Sequence, residues 1–287
     1  MTARLIAVVG PTAVGKSDLA IELALQREGE VVNADSMQLY RGMDIGTAKL
    51  TLDERRGVTH HLLDIWPVTR TATLAEYQAF ALDAVDDITK RGKVPIVVGG
   101  SGMYVHSVID RWDIPGTDPE IRAQLEADLA ASGPEVLHER LASVDPAAAI
   151  AILPTNGRRI VRALEVVALR GSFSAQLPTF EPNPDVQTIG LRMSREDLDV
   201  RVEQRVDRMW RQGFVDEVRA LEGEGLRQGL TASRALGYSQ VLSFLAGECT
   251  EAEAREETVR ATRRFVRRQE SWFNRDPRIE WQDASPR

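Results

Sequence analysis

Leu5-Ile6-Ala7-Val8-Val9-Gly10-Pro11-Thr12-Ala13-Val14-Gly15-Lys16-Ser17 is the stretch on which the fold turns. Its first five residues are apolar, branched for the most part and uninterrupted. They read as a short strand buried on both faces, ending at Gly10. From Lys16 onward, Leu19, Ala20, Leu23 and Ala24 recur at helical spacing, with Gly29 placed to cap the helix C-terminus. Between strand and helix, Gly10 to Ser17 matches G-x-x-x-x-G-K-[ST], in the context that this motif needs. Its glycines let backbone N–H groups turn inward around an oxyanion, and the helix N-terminus adds its positive end. Lys16 supplies a point charge, and the Ser17 hydroxyl can hold Mg²⁺, the expected cofactor. Gly10, Pro11, Thr12, Ala13, Val14, Gly15, Lys16 and Ser17 are therefore the expected phosphate-binding residues, and ATP is one candidate occupant. Such a loop specifies a di- or triphosphate, not a reaction: kinases, NTPases and transferases that expel diphosphate could all use it.

Working outward, a second short strand is expected at Val31-Val32-Asn33 and a third at Val94 to Val98, before Gly99-Gly100. Helical periodicity fills Leu74 to Arg91 between them. Alternating strands and helices argue for a P-loop NTPase-like α/β fold, a parallel sheet flanked by helices that binds ligands beyond the carboxyl ends of its strands. After Arg111 the texture changes to helical segments broken at Pro115, Pro119, Gly133-Pro134, Asp145-Pro146 and Pro154. Residues 113–183 are assigned to an all-helical insertion domain, closed by a loop from Ser172 to Pro184 with three prolines. The core is then 1–112 plus 184–287. Val186 to Met193 reads as a returning strand, Ser194 caps a new helix with acids in its first turn, and helices continue to about Asn274. Ile279-Glu280-Trp281 adds a last short strand.

Bulk composition narrows the partners. No apolar run approaches twenty residues, so no membrane partner is expected and the chain reads as cytoplasmic. The single cysteine, Cys249, excludes an internal disulfide and a paired-cysteine zinc site, and reads as a small buried hydrophobe. A net charge of -7 repels a polyanion at long range, so any nucleic-acid contact must be local. Arg260, Arg263, Arg264, Arg267 and Arg268 follow i, i+3, i+4, i+7, i+8 and form one basic helical stripe. Val259, Phe265 and Trp272 lie away from its centre and can anchor the helix. A solvated charged face and an RNA surface both fit that stripe.

Asp35 follows the second strand and should emerge beside the phosphate loop. A carboxylate there could coordinate Mg²⁺, accept a proton from a nucleophile, or cap the next turn. Arg201 and Arg205 share one face of the helix after Ser194, where they could clamp diphosphate oxygens or remain ordinary solvated arginines. His60 and His61 lack the spaced partners of a metal site and read as structural.

The order of several motifs is more specific than the loop alone. After Gly10 to Ser17 come Ala34-Asp35-Ser36-Met37-Gln38-Leu39-Tyr40, Asp44-Ile45-Gly46-Thr47-Ala48-Lys49, His60-His61-Leu62-Leu63-Asp64 and Val98-Gly99-Gly100-Ser101-Gly102-Met103-Tyr104. Arg162-Ala163-Leu164-Glu165-Val166, Gly237-Tyr238 and Thr262 to Phe273 follow. This series, spanning nearly the whole chain, resembles the tRNA dimethylallyltransferase family. Two departures stand in the glycine turn: Ser101 where the family usually has threonine, with the hydroxyl retained, and Met103 where leucine is commoner. The cysteines of the C-terminal zinc finger found in eukaryotic relatives are missing, so the resemblance is to the bacterial form.

The resemblance implies a monomeric enzyme that joins dimethylallyl diphosphate to the exocyclic amine of adenosine 37 in tRNA. Asp35 would be the general base, while Lys16, Ser101 and Arg201 attend the leaving diphosphate. Contacts with the anticodon stem-loop would come from Asp35, Ser36, Met37, Gln38 and Ser101, and from Arg122, Arg158, Arg159 and Arg162 in the insertion. Arg234, Gly237, Tyr238, Arg267, Arg268, Gln269 and Trp272 complete that set, with Tyr238 and Trp272 available to stack on loop bases. The target base must leave its stack to reach Asp35. A nucleoside or small-molecule kinase and a non-catalytic RNA-binding protein are the alternatives, and neither accounts for the motifs beyond the phosphate loop.

Overall fold

The computed structural model describes residues 4–174 and 179–284. In chain order its elements are β1 (Leu5–Val9), α1 (Lys16–Arg27), β2 (Gly29–Asn33), β3 (His60–His61), α2 (Leu74–Lys90), β4 (Val94–Gly99) and α3 (Gly102–Ile109). Then come α4 (Pro119–Val144), α5 (Pro146–Ala151) and α6 (Gly157–Arg170). The chain continues with β5 (Val186–Arg192), α7 (Arg195–Arg211), α8 (Phe214–Gly223), α9 (Tyr238–Leu245), α10 (Glu251–Phe273) and β6 (Glu280–Asp283). Two compact units emerge: Met1–Arg111 with Phe180–Arg287, and Trp112–Thr179. Of the proline-bearing loop expected over Ser172 to Pro184, residues 175–178 lie outside the described ones.

In the larger unit the sheet runs β3-β2-β4-β1-β5-β6, with every pairing parallel. All five residues of β1 are buried, because helices cover both faces of a parallel sheet. Leu5, Ala7 and Val9 point into a core shared with Tyr77, Ala81 and Val85 of α2. Ile6 and Val8 face the other way, onto Ala20, Ile21 and Ala24 of α1. The alternation of a strand thus divides one apolar run between two cores.

Two local expectations are corrected. Gly29 does not cap α1: Glu28 takes the left-handed conformation (φ 50°) and its N–H donates to Ala24 O. Gly29 instead opens β2, where a Cβ would stand 2.6 Å from Val94 O. Cys249 is not buried but half-buried, just beyond α9.

Between β2 and α2 some forty residues contain little regular structure beyond β3, and side chains order them instead. Lys49, its side chain only 3% exposed, bridges Asp44 (2.6 Å) and Asp64 (2.5 Å) and also donates to Tyr40 O (2.9 Å). Glu217 of α8 accepts from the N–H groups of Asp44, Ile45 and Gly46 and from the Tyr238 hydroxyl. His61 meets Glu30 at 2.7 Å, and His60 Nδ1 lies 2.9 Å from Val58 O. Glu30, buried in β2, also receives Arg91 and Lys93, and these donors hold its carboxyl well below the usual range.

The smaller unit is helical. Leu125, Leu137, Leu141, Ile160 and Leu164 form its core, and α4 breaks at Gly133 (φ 81°), immediately before Pro134. Glu165 is fully buried there and is gripped by Arg122 (2.5 Å) and Arg162 (2.6 Å).

Helix α10 opens with a capping box between Thr250 and Glu253. Its buried seam is Ala254, Thr258, Thr262, Val266, Gln269 and Phe273. Of the expected anchors, Val259 and Trp272 are partly buried and pack against the core beside this seam, while Phe265 is half-buried.

Candidate active site

The site forms where β1, β2 and β4 end together. Gly10 leaves β1 at φ 139°, and any Cβ there would lie 2.4 Å from Leu191 O of β5. Only glycine lets the loop leave the sheet so close to its neighbour. Gly15 (φ 103°) caps α1. Val14 is buried against Leu198 and Val202 of α7 and Val266 of α10, which fixes the loop from behind. Lys16 folds back, its Nζ donating to Pro11 O at 2.7 Å.

Asp35 follows β2 by two residues. Asn33 sets the turn: its Oδ1 accepts from Asp35 N–H (3.0 Å), while its Nδ2 donates to Asp35 O and Leu62 O (both 3.0 Å). Tyr77 fixes the strand end by donating its hydroxyl to Asn33 O at 3.0 Å. Asp35 Oδ1 accepts from Met37 N–H at 2.9 Å. The capping role is therefore real, and it uses one of two oxygens.

β4 brings Ser101. Gly99 passes so near Ala34 that a Cβ would sit 2.3 Å from Ala34 O. Ser101 occupies the N-cap position of α3 without capping it, so its hydroxyl is directed elsewhere. That oxygen lies 3.4 Å from Ser36 Oγ and 3.5 Å from Ser36 N. The two loops thus meet through their serines.

Electrostatics tie the parts together. Burial pushes Lys16 down to about 8, opposed by the nearby Asp35 carboxylate and assisted by Arg205. Arg205 is likewise lowered by burial, with Asp35 opposing. Burial raises Tyr77 and Tyr104, and the negative charge of Asp35 adds to both. One carboxylate therefore sits in the fields of a lysine, an arginine and two tyrosines. Arg205 is drawn into this cluster by charge, while Arg201, on the same helical face, donates to Ala13 O of the phosphate loop at 3.3 Å.

Several residues expected to touch RNA are otherwise engaged. Tyr238 is fully buried, with its ring edge-on to Phe214 (5.0 Å) and its hydroxyl donated to Glu217, so it cannot stack on a base. Gly237 is buried beneath it and caps α9. Gln269, 5% exposed, accepts from Thr12 N–H and donates to Gly100 O. Trp272 Nε1 donates to His106, and its ring sits where a Cβ on Gly102 would be. Arg275 covers that ring at 4.5 Å. Arg122 and Arg162 hold Glu165.

The basic stripe is also less uniform than its spacing suggests. Arg260 and Arg264 both pair with Glu257, and Arg263 reaches Asp199 and Glu203. Arg267 and Arg268 are exposed and make no ion pair among the described residues, although Arg268 lies 5.7 Å over the Phe265 ring. Arg158, Arg159 and Arg234 are exposed. Ser36, Met37 and Gln38 are half-buried beside Asp35, with Gln38 Nε2 donating to Thr47 O at 3.2 Å.

A parallel sheet, a glycine-bounded loop at a helix N-terminus and a basic side chain inside it define a P-loop-like phosphate-handling α/β protein, here with a carboxylate at the mouth. Residues 38–276 match the family described as IPP transferase. The chain belongs to that family. It is 64% identical over 282 residues to a tRNA dimethylallyltransferase of Thermobifida fusca, covering 96% of this chain and 88% of the relative. A tRNA dimethylallyltransferase of Streptomyces griseus is also 64% identical, covering 97% of this chain and 89% of its own length. Among solved structures, the tRNA isopentenylpyrophosphate transferase of Bacillus halodurans superposes with a TM-score of 0.73 at 40% identity, over 99% of this chain and 90% of that one. A eukaryotic dimethylallyltransferase, captured acting on tRNA, gives 0.81 at 26% identity, over 99% of this chain and 74% of that one.

Proposed function

We propose that this chain transfers a dimethylallyl group from dimethylallyl diphosphate to N6 of adenosine 37 in the tRNA anticodon stem-loop, releasing diphosphate. The observation that carries the reading is the meeting of three strand ends: β1 leads into the phosphate loop, β2 into the Asp35 turn and β4 into Ser101, whose hydroxyl reaches that of Ser36, with Lys16 and Arg205 in the field of Asp35. The acceptor of a proton and the acceptors of an anion stand side by side.

Lys16, Arg205 and the backbone N–H groups of the loop receive the diphosphate. The amine attacks the primary allylic carbon, a C–N bond forms, and the C–O bond breaks with its electron pair leaving on the diphosphate. Asp35 takes the amine proton on Oδ2, since Oδ1 is held by Met37. An allylic carbon tolerates cationic character, so stabilising the departing anion is the larger task. Ser101 lies beside the Asp35 turn and can hold a diphosphate oxygen through its hydroxyl.

Mg²⁺ fits the residues present: the Ser17 side chain has no hydrogen-bond partner among the described residues, and Mg²⁺ bound with substrate phosphates needs few protein ligands. When bound, it would neutralise part of the diphosphate charge. Arg267, Arg268, Arg158, Arg159 and Arg234 are exposed cations suited to the phosphates of the stem-loop. A monomer working in the cytoplasm belongs to the same reading; the single cysteine has no partner for an internal disulfide, which fits a reducing compartment.

Mass spectrometry of tRNA nucleosides after incubation with protein, Mg²⁺ and dimethylallyl diphosphate tests the proposal. A mass gain confined to the adenosine beside the anticodon is expected. Unmodified tRNA together with stoichiometric consumption of ATP would replace this reading with a kinase.

A further inference from the structure

Gln269 stands 257 positions from Thr12 and 169 from Gly100, yet its carboxamide joins them. Oε1 accepts the Thr12 N–H at 2.9 Å, and Nε2 donates to Gly100 O at 2.8 Å. A Cβ on Gly100 would overlap that nitrogen at 2.2 Å, so the glycine turn is shaped around this side chain. One turn earlier on α10, Val266 packs against Val14 of the phosphate loop. One turn later, Trp272 occupies the space beside Gly102. Between these inward contacts, Arg267 and Arg268 point into solvent.

We infer that Gln269 is a positioning residue that fixes the two sides of the diphosphate cradle from the helix carrying Arg267 and Arg268, linking donor affinity to RNA occupancy. The RNA half of this statement rests on the function proposed above; the cradle half does not. The Thr12 N–H is held by Gln269 and not by the anion, so the side chain acts through the loop and touches no reacting atom. RNA seated on Arg267 and Arg268 would hold α10, and with it both hydrogen bonds, in the arrangement the RNA-free chain already shows, so the cradle would lose less freedom on binding diphosphate.

Calorimetry with inorganic pyrophosphate, with and without an anticodon stem-loop hairpin, tests the inference on the wild type, Gln269→Met and Gln269→Glu. Without RNA, Gln269→Met should weaken pyrophosphate binding about tenfold, the loss of one buried hydrogen-bonded group. Its hairpin affinity should stay at the wild-type value, and in turnover the donor KM should rise while kcat holds. Gln269→Glu keeps the acceptor for Thr12 but sets a carboxylate against Gly100 O and beside the anion, so it should bind pyrophosphate no better than Gln269→Met. In the wild type, the hairpin should tighten pyrophosphate binding; in Gln269→Met, that factor should shrink towards one.

Equal pyrophosphate affinity in wild type and both variants would overturn the positioning role. An unchanged linkage factor in Gln269→Met would overturn the coupling. If neither variant folds, hydrogen exchange of the wild-type Thr12 amide decides: the hairpin should slow it, and an unaltered rate sinks the coupling. A wild type that ignores the hairpin altogether would count against the proposed function, while the RNA-free comparison still judges the cradle.

Discussion

The backbone N–H of Met37 donates to Asp35 Oδ1 at 2.9 Å, dividing the carboxylate between a structural and a chemical oxygen. Asparagine would keep the Oδ1 acceptor and lose the base. Asp35→Asn should therefore lower kcat by about 10²–10⁴-fold, the range for removing a general base, while hairpin affinity is retained. Single-turnover rates with labelled donor measure this. Near-normal turnover in the Asn variant would reduce Asp35 to a cap.

Within one basic stripe, two kinds of arginine should separate. Replacing Arg267 and Arg268 by alanine should weaken hairpin binding and flatten the dependence of log K on log salt by about one unit per arginine. Replacing Arg260 and Arg264, already paired with Glu257, should leave that slope nearly unchanged. Titrations across a salt series compare them, and indistinguishable slopes would refute the division.

Donor binding should respond to pH through Lys16. Its folded value is lowered by burial to about 8, so in donor-free protein the ammonium is complete below that pH and is lost as pH rises through it. Pyrophosphate affinity should therefore decline above about pH 8 relative to Lys16→Arg, whose guanidinium stays charged. Identical profiles for the two proteins would discount Lys16 as the titrating group.

Lys49→Met should destabilise the fold by about 3 kcal/mol, the lower end for breaking a buried pair, because Asp44 and Asp64 keep 57% and 41% of their side chains in solvent. A urea unfolding midpoint measures the loss. A shift too small to resolve would mean that the segment before α2 is ordered by something other than this cluster.

What the sequence disclosed was what lies close together in it. The phosphate-binding motif is eight consecutive residues running from the end of a strand into a helix, and Asp35 lies two residues beyond β2, so both sites are readable from local pattern. Arg205 and Arg201 share one helical face and are both half-buried, and only their partners distinguish them: the field of Asp35 for Arg205, Ala13 O for Arg201. The engagements of Tyr238, Gln269 and Trp272 within the fold are not legible in the sequence because their partners are remote: Glu217, Thr12 with Gly100, and His106 with Gly102. A helical wheel of α10 shows which residues share a side. It does not show that the side bearing Gln269 faces the cradle. The pairing of Arg260 and Arg264 with Glu257 is legible in the spacing, since i+3 and i+7 neighbours share a face.

The strand order carries a consequence for the nascent chain. β1 lies between β4 and β5, yet α3 and the whole helical insertion are synthesised before β5 arrives, and β6 comes last of all. While the ribosome is still adding those residues, the strand that bears the phosphate loop presents an unpaired apolar edge, the kind of surface on which partly made proteins aggregate. The insertion's helices meet mostly through local contacts and can form early. The emerging enzyme therefore acquires a finished helical unit before β5 and β6 complete the sheet.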